Sequence, residues 1–295
     1  MTETQSTCAI HAELTGTRSI MRPLKALELI RRLGKSELRA LPLDTRIDLL
    51  HHAHNPGVRL LDFFSGNAIK QARQAIWLGI RPSEMPTRID HDMVARMSNW
   101  LQTDSYARKS QADWHNMGRN DRLDFLREVA RKQCAEYGLV APPINYEKLD
   151  HSWWSDSATL GVYSPWSKSI KISSHRRSGL HDFSLAIPVL MHEVTHYIQA
   201  KLVRGYKRGT LDQISDDAEL KQRAKLFAVN NKLFLYEAPT GADGDDNFDL
   251  YESQPVEAHA GWVEDKIETA LIMHPNPPER NPDRRGVMRK MFGMK

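Results

Sequence analysis

The chain has 295 residues, 40% of them apolar and 26% charged, with a formal net charge of +4, a composition that suits one large globular domain or two modest ones. No run approaches the roughly 18 consecutive apolar residues of a membrane-crossing helix, so no membrane span is expected. Six basic residues (Arg280, Arg284, Arg285, Arg289, Lys290, Lys295) against two acidic ones (Glu279, Asp283) give 6 − 2 = 4 in the last segment alone; the rest is nearly neutral, and a phosphate-tracking groove for nucleic acid is not expected.

The N-terminus, Met1 to Ser6, has neither a basic start nor an apolar core. It does not read as a secretory signal, and the expected location is cytoplasmic, or outside the cell by a signal-independent route. In chain order, the first 150 residues read as helical. Arg22 to Leu33 forms a helix stopped by Gly34, Asp44 to His54 a second ending before Asn55-Pro56-Gly57, and Val58 to Leu78 a third. Asp121 to Tyr137 carries Leu123, Leu126, Ala130, Cys134 and Tyr137 at helical spacing, with Gly138 beyond it. Cys8 and Cys134 are the two cysteines; neither sits in a CxxC pair, so no thiolate metal site is expected, and Cys134 reads as core.

After Pro142-Pro143 the pattern changes. Leu160 to Tyr163 and Ile170 to Ser173 read as short strands joined by a turn at Ser164-Pro165. A helix follows from Ala186 to Leu202, with Pro188 in its first turn and Gly205 just past its end. Another runs from Asp217 to Leu235, with Asp216 and Glu219 as a capping box. An acidic loop, Gly241 to Asp249, leads to a last helix from Pro255 to Met273. The resulting division is a helical region over 1–150, an α+β core over 151–275 and a basic, Pro-containing tail over 276–295.

The chemistry gathers at His192-Glu193-Val194-Thr195-His196. On a helix, residues four apart lie one turn apart on one face, so both imidazoles can reach a single ion while Glu193 stands beside them at the rim. Leu190, Val194, Ile198 and Leu202 supply the apolar stripe on which such a helix packs. Imidazole and carboxylate ligands suit Zn²⁺, and three of them leave a position for water. The third ligand is expected to be Glu257, early in the last helix beside the stripe Val256, Ala260, Val263, Ile267 and Leu271; small Ala260 lets the two helices approach. His259 and Asp212 are the alternatives. A glycine and a histidine three and six residues after the second His, as metzincins require, are missing: Gln199 and Leu202 stand there. Gly209-Thr210-Leu211-Asp212 echoes the aspzincin element, but the residues that complete that element are missing.

From about Leu160 to Met273 the chain therefore resembles the zincin metallopeptidases, of gluzincin type: HExxH on one helix, a Glu on a later one. The interval of 257 − 196 = 61 residues exceeds that of compact gluzincins, and the Glu257-x-x-Ala260 setting differs from the NExxxE pattern. The resemblance implies a zincin-like α+β core after a mainly helical region, and a Zn²⁺-dependent peptidase acting on protein or peptide. By the same resemblance Glu193 is the general base, Tyr251 (or else Tyr163) helps stabilise the oxyanion, and Ile170 to Ser173 is the edge strand that aligns substrate. A zinc peptidase with a helical extension and no signal fits an effector or toxin acting inside another cell. An interaction protein that keeps the fold without catalysis is the alternative.

Three weaker signals stand apart. His51, His52 and His54 cluster in sequence but spread around a helix. Asp243, Asp245, Asn247 and Asp249 imitate a calcium loop, with Phe248 and Gln254 where Gly and Glu belong. Trp153-Trp154 and Trp166 flank the hairpin and fit either a substrate cleft or aromatic packing.

Overall fold

The structure is a computed structural model, and it describes residues 10, 12–13, 22–33, 35–53, 82–147, 149, 160–173, 181–214, 216–231 and 254–273. The described N-terminal residues include helices α1 (Arg22–Arg32), α2 (Lys35–Ala40) and α3 (Leu43–Ala53). Next come α4 (Arg88–Thr103), α5 (Ser105–Asp113) and α6 (Arg119–Ala135). Strands β1 (Ile144–Glu147), β2 (Gly161–Ser164) and β3 (Ser169–Ser173) follow, then α7 (Phe183–Arg208), α8 (Ala218–Asn230) and α9 (Pro255–Ile272). The helix expected over 58–78, the acidic loop and the basic tail lie outside the described residues.

Local signals account for most of the ends. Helix α4 opens with a capping box: Thr87 Oγ1 accepts from the Asp90 N–H, and the Asp90 carboxylate accepts from the Thr87 N–H at 2.5 Å. Helix α7 is longer than its pattern indicated at both ends. It starts at Phe183, where the Asp182 side chain accepts from the Ser184 N–H, so Pro188 lies inside the helix rather than in its first turn. It runs through Gly205 and stops at Gly209, whose φ of 67° is the left-handed conformation that glycine adopts without strain. There the Thr210 N–H donates to the Gly205 carbonyl and the Gly209 N–H to that of Tyr206, the six-to-one closure of a helix end. The cap of α8 is Asp217, whose carboxylate accepts from the Leu220 N–H, one residue later than Asp216.

The sheet order is β1-β3-β2, with β1 parallel and β2 antiparallel to β3. This corrects the expectation for Ile170 to Ser173. Strand β3 is central, its main-chain groups are engaged on both sides, and it has no free edge to offer a peptide. Among the described residues β1 and β2 are the edges, and β2 is the one that lies against α7. The Ser173 N–H donates to the Leu160 carbonyl, so by antiparallel alternation the main-chain groups of Gly161 and Tyr163 point away from β3.

Packing does not pause near residue 150. One core joins Met93, Met97 and Leu101 of α4 and Phe125, Leu126 and Val129 of α6 to the sheet and to α7 and α9. Phe125 stacks on Trp100, meets Trp114 edge-on and lies tilted against Phe183, with ring centroids 5.6–6.0 Å apart. A second cluster seats α1–α3 on Leu226 and Val229 of α8 and Ala258 of α9. The stripes Leu190, Val194, Ile198, Leu202 and Val256, Ala260, Val263, Ile267, Leu271 are all buried, and α7 lies along α9. Among the described residues no helix is long and apolar enough to cross a membrane.

Candidate metal centre

The packing of α7 on α9 brings three side chains to one point. His192 Nε2 and His196 Nε2 are 3.0 Å apart, and Glu257 Oε2 lies 3.6 and 3.3 Å from them. Donors bound to one tetrahedral zinc at about 2.0–2.1 Å sit roughly 3.3 Å from each other, so these separations bracket the required triangle. Among the described residues this is the one group of His, Cys, Asp and Glu side chains placed to share a cation. Glu257 Oε2 is buried and has no hydrogen-bond partner, an expensive state for a carboxylate oxygen unless something cationic faces it.

The electrostatics point the same way. Burial alone would push the His192 imidazole down, but the Glu257 and Glu264 carboxylates raise it well above its ordinary range; His196 is raised by Glu257 against its own burial. Burial would likewise raise Glu257, and the two imidazoles instead hold it far below the usual carboxylate range. The hydrogen-bond geometry favours a shared proton between the rings when no cation is bound. His192 Nδ1 faces Glu264 Oε2 at 2.8 Å and His196 Nδ1 faces Gln199 Oε1 at 3.0 Å. Both acceptors call for a proton on Nδ1, so the Nε2–Nε2 contact needs one more proton, placing positive charge on the pair. That charge occupies the position where a divalent ion would sit.

Glu193 follows His192 on α7 and turns toward β2, where its Oε2 accepts from the Tyr163 N–H at 2.6 Å. Gly161 makes this approach possible: a Cβ there would lie 3.1 Å from Glu193 Cγ and 3.3 Å from Val189 Cγ1. The general-base candidate is thus held between α7 and the edge strand β2. The Tyr163 ring rests edge-on against Tyr197 at 5.8 Å.

Other candidates are placed elsewhere. Asp212 sits in a short 3-10 turn (Leu211–Gln213), 75% exposed and paired with Lys221, so it cannot supply the third donor. His259 is buried two residues from Glu257 but faces away, with Nε2 3.2 Å from Asp90 Oδ1 and its ring stacked on Phe227. Tyr251 lies outside the described residues, as do His54, Trp153, Trp154 and the 243–249 segment. Trp166 is 96% exposed at the tip of the β2–β3 turn and packs neither in a cleft nor in the core. Burial raises the Cys134 thiol to about 12, which keeps it protonated and inert.

Two residues at the site went unassigned from sequence. Glu264 is 264 − 257 = 7 residues after Glu257, two turns along the same face of α9, a spacing that marks it as a neighbour of the same site. Gln199 was noted only for what it replaces, yet it follows His196 by one turn. Comparison with protein-family models, curated proteins and solved structures gives no match, so the chemistry of these side chains carries the functional reading.

Proposed function

We propose that the protein is a zinc-dependent peptidase with a zincin-like core, most simply an endopeptidase. The observation that carries this reading is the convergence of His192 Nε2, His196 Nε2 and the buried Glu257 Oε2, which makes no hydrogen bond, with Glu193 one residue along the same helix and against edge strand β2. The donor set fits zinc: two neutral imidazoles and one carboxylate, leaving a coordination position open. When bound there, zinc would lower the pKa of water toward neutrality and polarise a carbonyl.

The chain's own groups then do the rest. Glu193 takes the proton of the attacking water and returns it to the leaving amine, so that one peptide bond and one water become a carboxylic acid and an amine. The Tyr163 N–H holds the Glu193 carboxylate in position before substrate arrives. The main-chain groups of Gly161 and the Tyr163 carbonyl, which point away from β3, offer an extended peptide a backbone partner that does not read sequence, while the Tyr163 N–H stays with Glu193. Glu264 and Gln199, by holding the Nδ1 protons, turn both Nε2 lone pairs toward the ion.

The test is hydrolysis of a mixed peptide library by zinc-loaded protein, read by mass spectrometry, beside Glu193→Gln. The expected result is cleavage that falls by at least about 100-fold in the variant, the scale of general-base loss, while zinc content is unchanged. Equal cleavage by both proteins, or full zinc loading with no cleavage of any peptide, contradicts the reading; the second result favours a binding protein.

A further inference from the structure

Behind His196 runs a line of buried polar side chains that leaves the metal-site helices and ends in the N-terminal region. His196 Nδ1 faces Gln199 Oε1 at 3.0 Å. The Gln199 amide nitrogen lies 2.8 Å from the Val256 carbonyl and 3.1 Å from His259 Nδ1. His259 Nε2, buried and without an aligned hydrogen bond, faces Asp90 Oδ1 at an ion-pair distance of 3.2 Å. The Asp90 carboxylate also accepts from Tyr137 Oη and from the Thr87 N–H and hydroxyl. Asp90, Gln199 and His259 are between 1% and 3% exposed, so none of them can exchange a lost partner for water.

The direction of every link follows from groups that have no choice. The Val256 carbonyl only accepts, which fixes the Gln199 NH₂ on that side and its Oε1 toward His196. His196 must then carry its proton on Nδ1, and its Nε2 lone pair faces the metal position. At the far end the Asp90 carboxylate only accepts. It favours a proton on His259 Nε2, which leaves His259 Nδ1 to accept the second Gln199 N–H. We propose that Asp90, on helix α4, is a positioning residue of the metal centre, setting the ring orientation and tautomer of His196 through His259 and Gln199. The inference rests on the reading that His192, His196 and Glu257 hold zinc. It makes the N-terminal helical region a component of the site rather than a detachable cover.

Asp90→Asn should reverse the line with little change in volume. The Thr87 N–H can only donate, so the one amide oxygen goes to it and the new NH₂ faces His259 Nε2. That demands a lone pair on Nε2 and a proton on Nδ1, which opposes the Gln199 NH₂. The strain is relieved only by turning the Gln199 amide or the His259 ring, and either change releases His196.

The experiment uses the full chain and measures the zinc dissociation constant by competition with a chromogenic chelator, and the visible spectrum of the Co²⁺-loaded protein. Asp90→Asn is expected to weaken zinc binding about 10- to 100-fold, the usual cost of losing an outer partner of a ligand histidine, and to shift the cobalt bands. Gln199→Met cuts the line without a charge change, should do the same, and decides the matter if Asp90→Asn does not fold. Met93→Ala, in the core face of the same helix, should lower the melting temperature and leave both readouts unchanged. The proposal is overturned if the folded Asp90→Asn or Gln199→Met protein binds zinc within about twofold of wild type with an unshifted spectrum. It is also overturned if Met93→Ala weakens zinc as much as they do, since the effect would then be general loosening. Wild-type protein that takes up no zinc overturns the metal reading itself, and this inference with it.

Discussion

Zinc and a proton compete for the same place, and their competition has a sign and a size. In the metal-free site the carboxylates of Glu257 and Glu264 raise His192 well above the ordinary 6.5, and Glu257 raises His196. The geometry accommodates one proton between the two Nε2 atoms, 3.0 Å apart. Binding of one zinc therefore expels about one proton below the raised pKa, and the dissociation constant should change about tenfold per pH unit, or about 1.4 kcal/mol. Affinity falls as pH drops and levels off above the raised value. The metal-free protein should behave in the opposite sense at neutral pH. A folded-state pKa raised above the unfolded one contributes stability that is complete below about 6.5 and is lost as pH climbs through the folded value. Glu257, held down by the imidazoles, contributes stability above its unfolded value of 4.5 that is lost as pH falls. The metal-free fold should thus be steadiest between these limits, whereas the zinc-loaded fold gains with rising pH. Calorimetric titration with zinc at pH 6, 7 and 8, in two buffers of different ionisation enthalpy, counts the protons released. An affinity independent of pH over that range, with no proton release, would refute the reasoning.

Two further outcomes follow from single contacts. Glu264→Gln exchanges a charged partner of His192 Nδ1, 2.8 Å away, for a neutral one; chelator competition should show zinc affinity about 10- to 100-fold weaker, with the pH dependence displaced to lower pH. Gly209→Ala places a Cβ on a residue at φ 67° and should cost about 1 kcal/mol, measured by urea unfolding; an unchanged midpoint would show that the end of α7 adapts.

What could be read from the sequence divides along a physical line. The His192–His196 pair, the apolar stripes of α7 and α9 and the Glu257 position are matters of helical period, and period survives folding. Helix α4 was equally legible, since Met93, Met97 and Leu101 keep the spacing and Thr87 and Asp90 form a capping box. What its spacing does not show is the burial of Asp90, since an Asp in a capping box reads as a surface charge until its partners are known. The central place of β3 was not legible: strand order is decided by which edges meet in space, and β1, across a long interval, takes the side that the hairpin leaves free. Gly205 misled because glycine marks helix ends on average, while here Gly209, four residues on, has the positive φ. Gln199, His259 and Asp90 belong to three helices, and no local spacing announces that they touch.

The most direct measurement is the zinc content of the purified full chain, by elemental analysis after loading with a stoichiometric supply of zinc and then exhaustive dialysis against metal-free buffer. One zinc per wild-type chain is predicted, falling well below one in each of His192→Ala, His196→Ala and Glu257→Ala while the proteins remain folded by circular dichroism. Equal zinc in wild type and in all three variants, or none in any of them, would contradict the account.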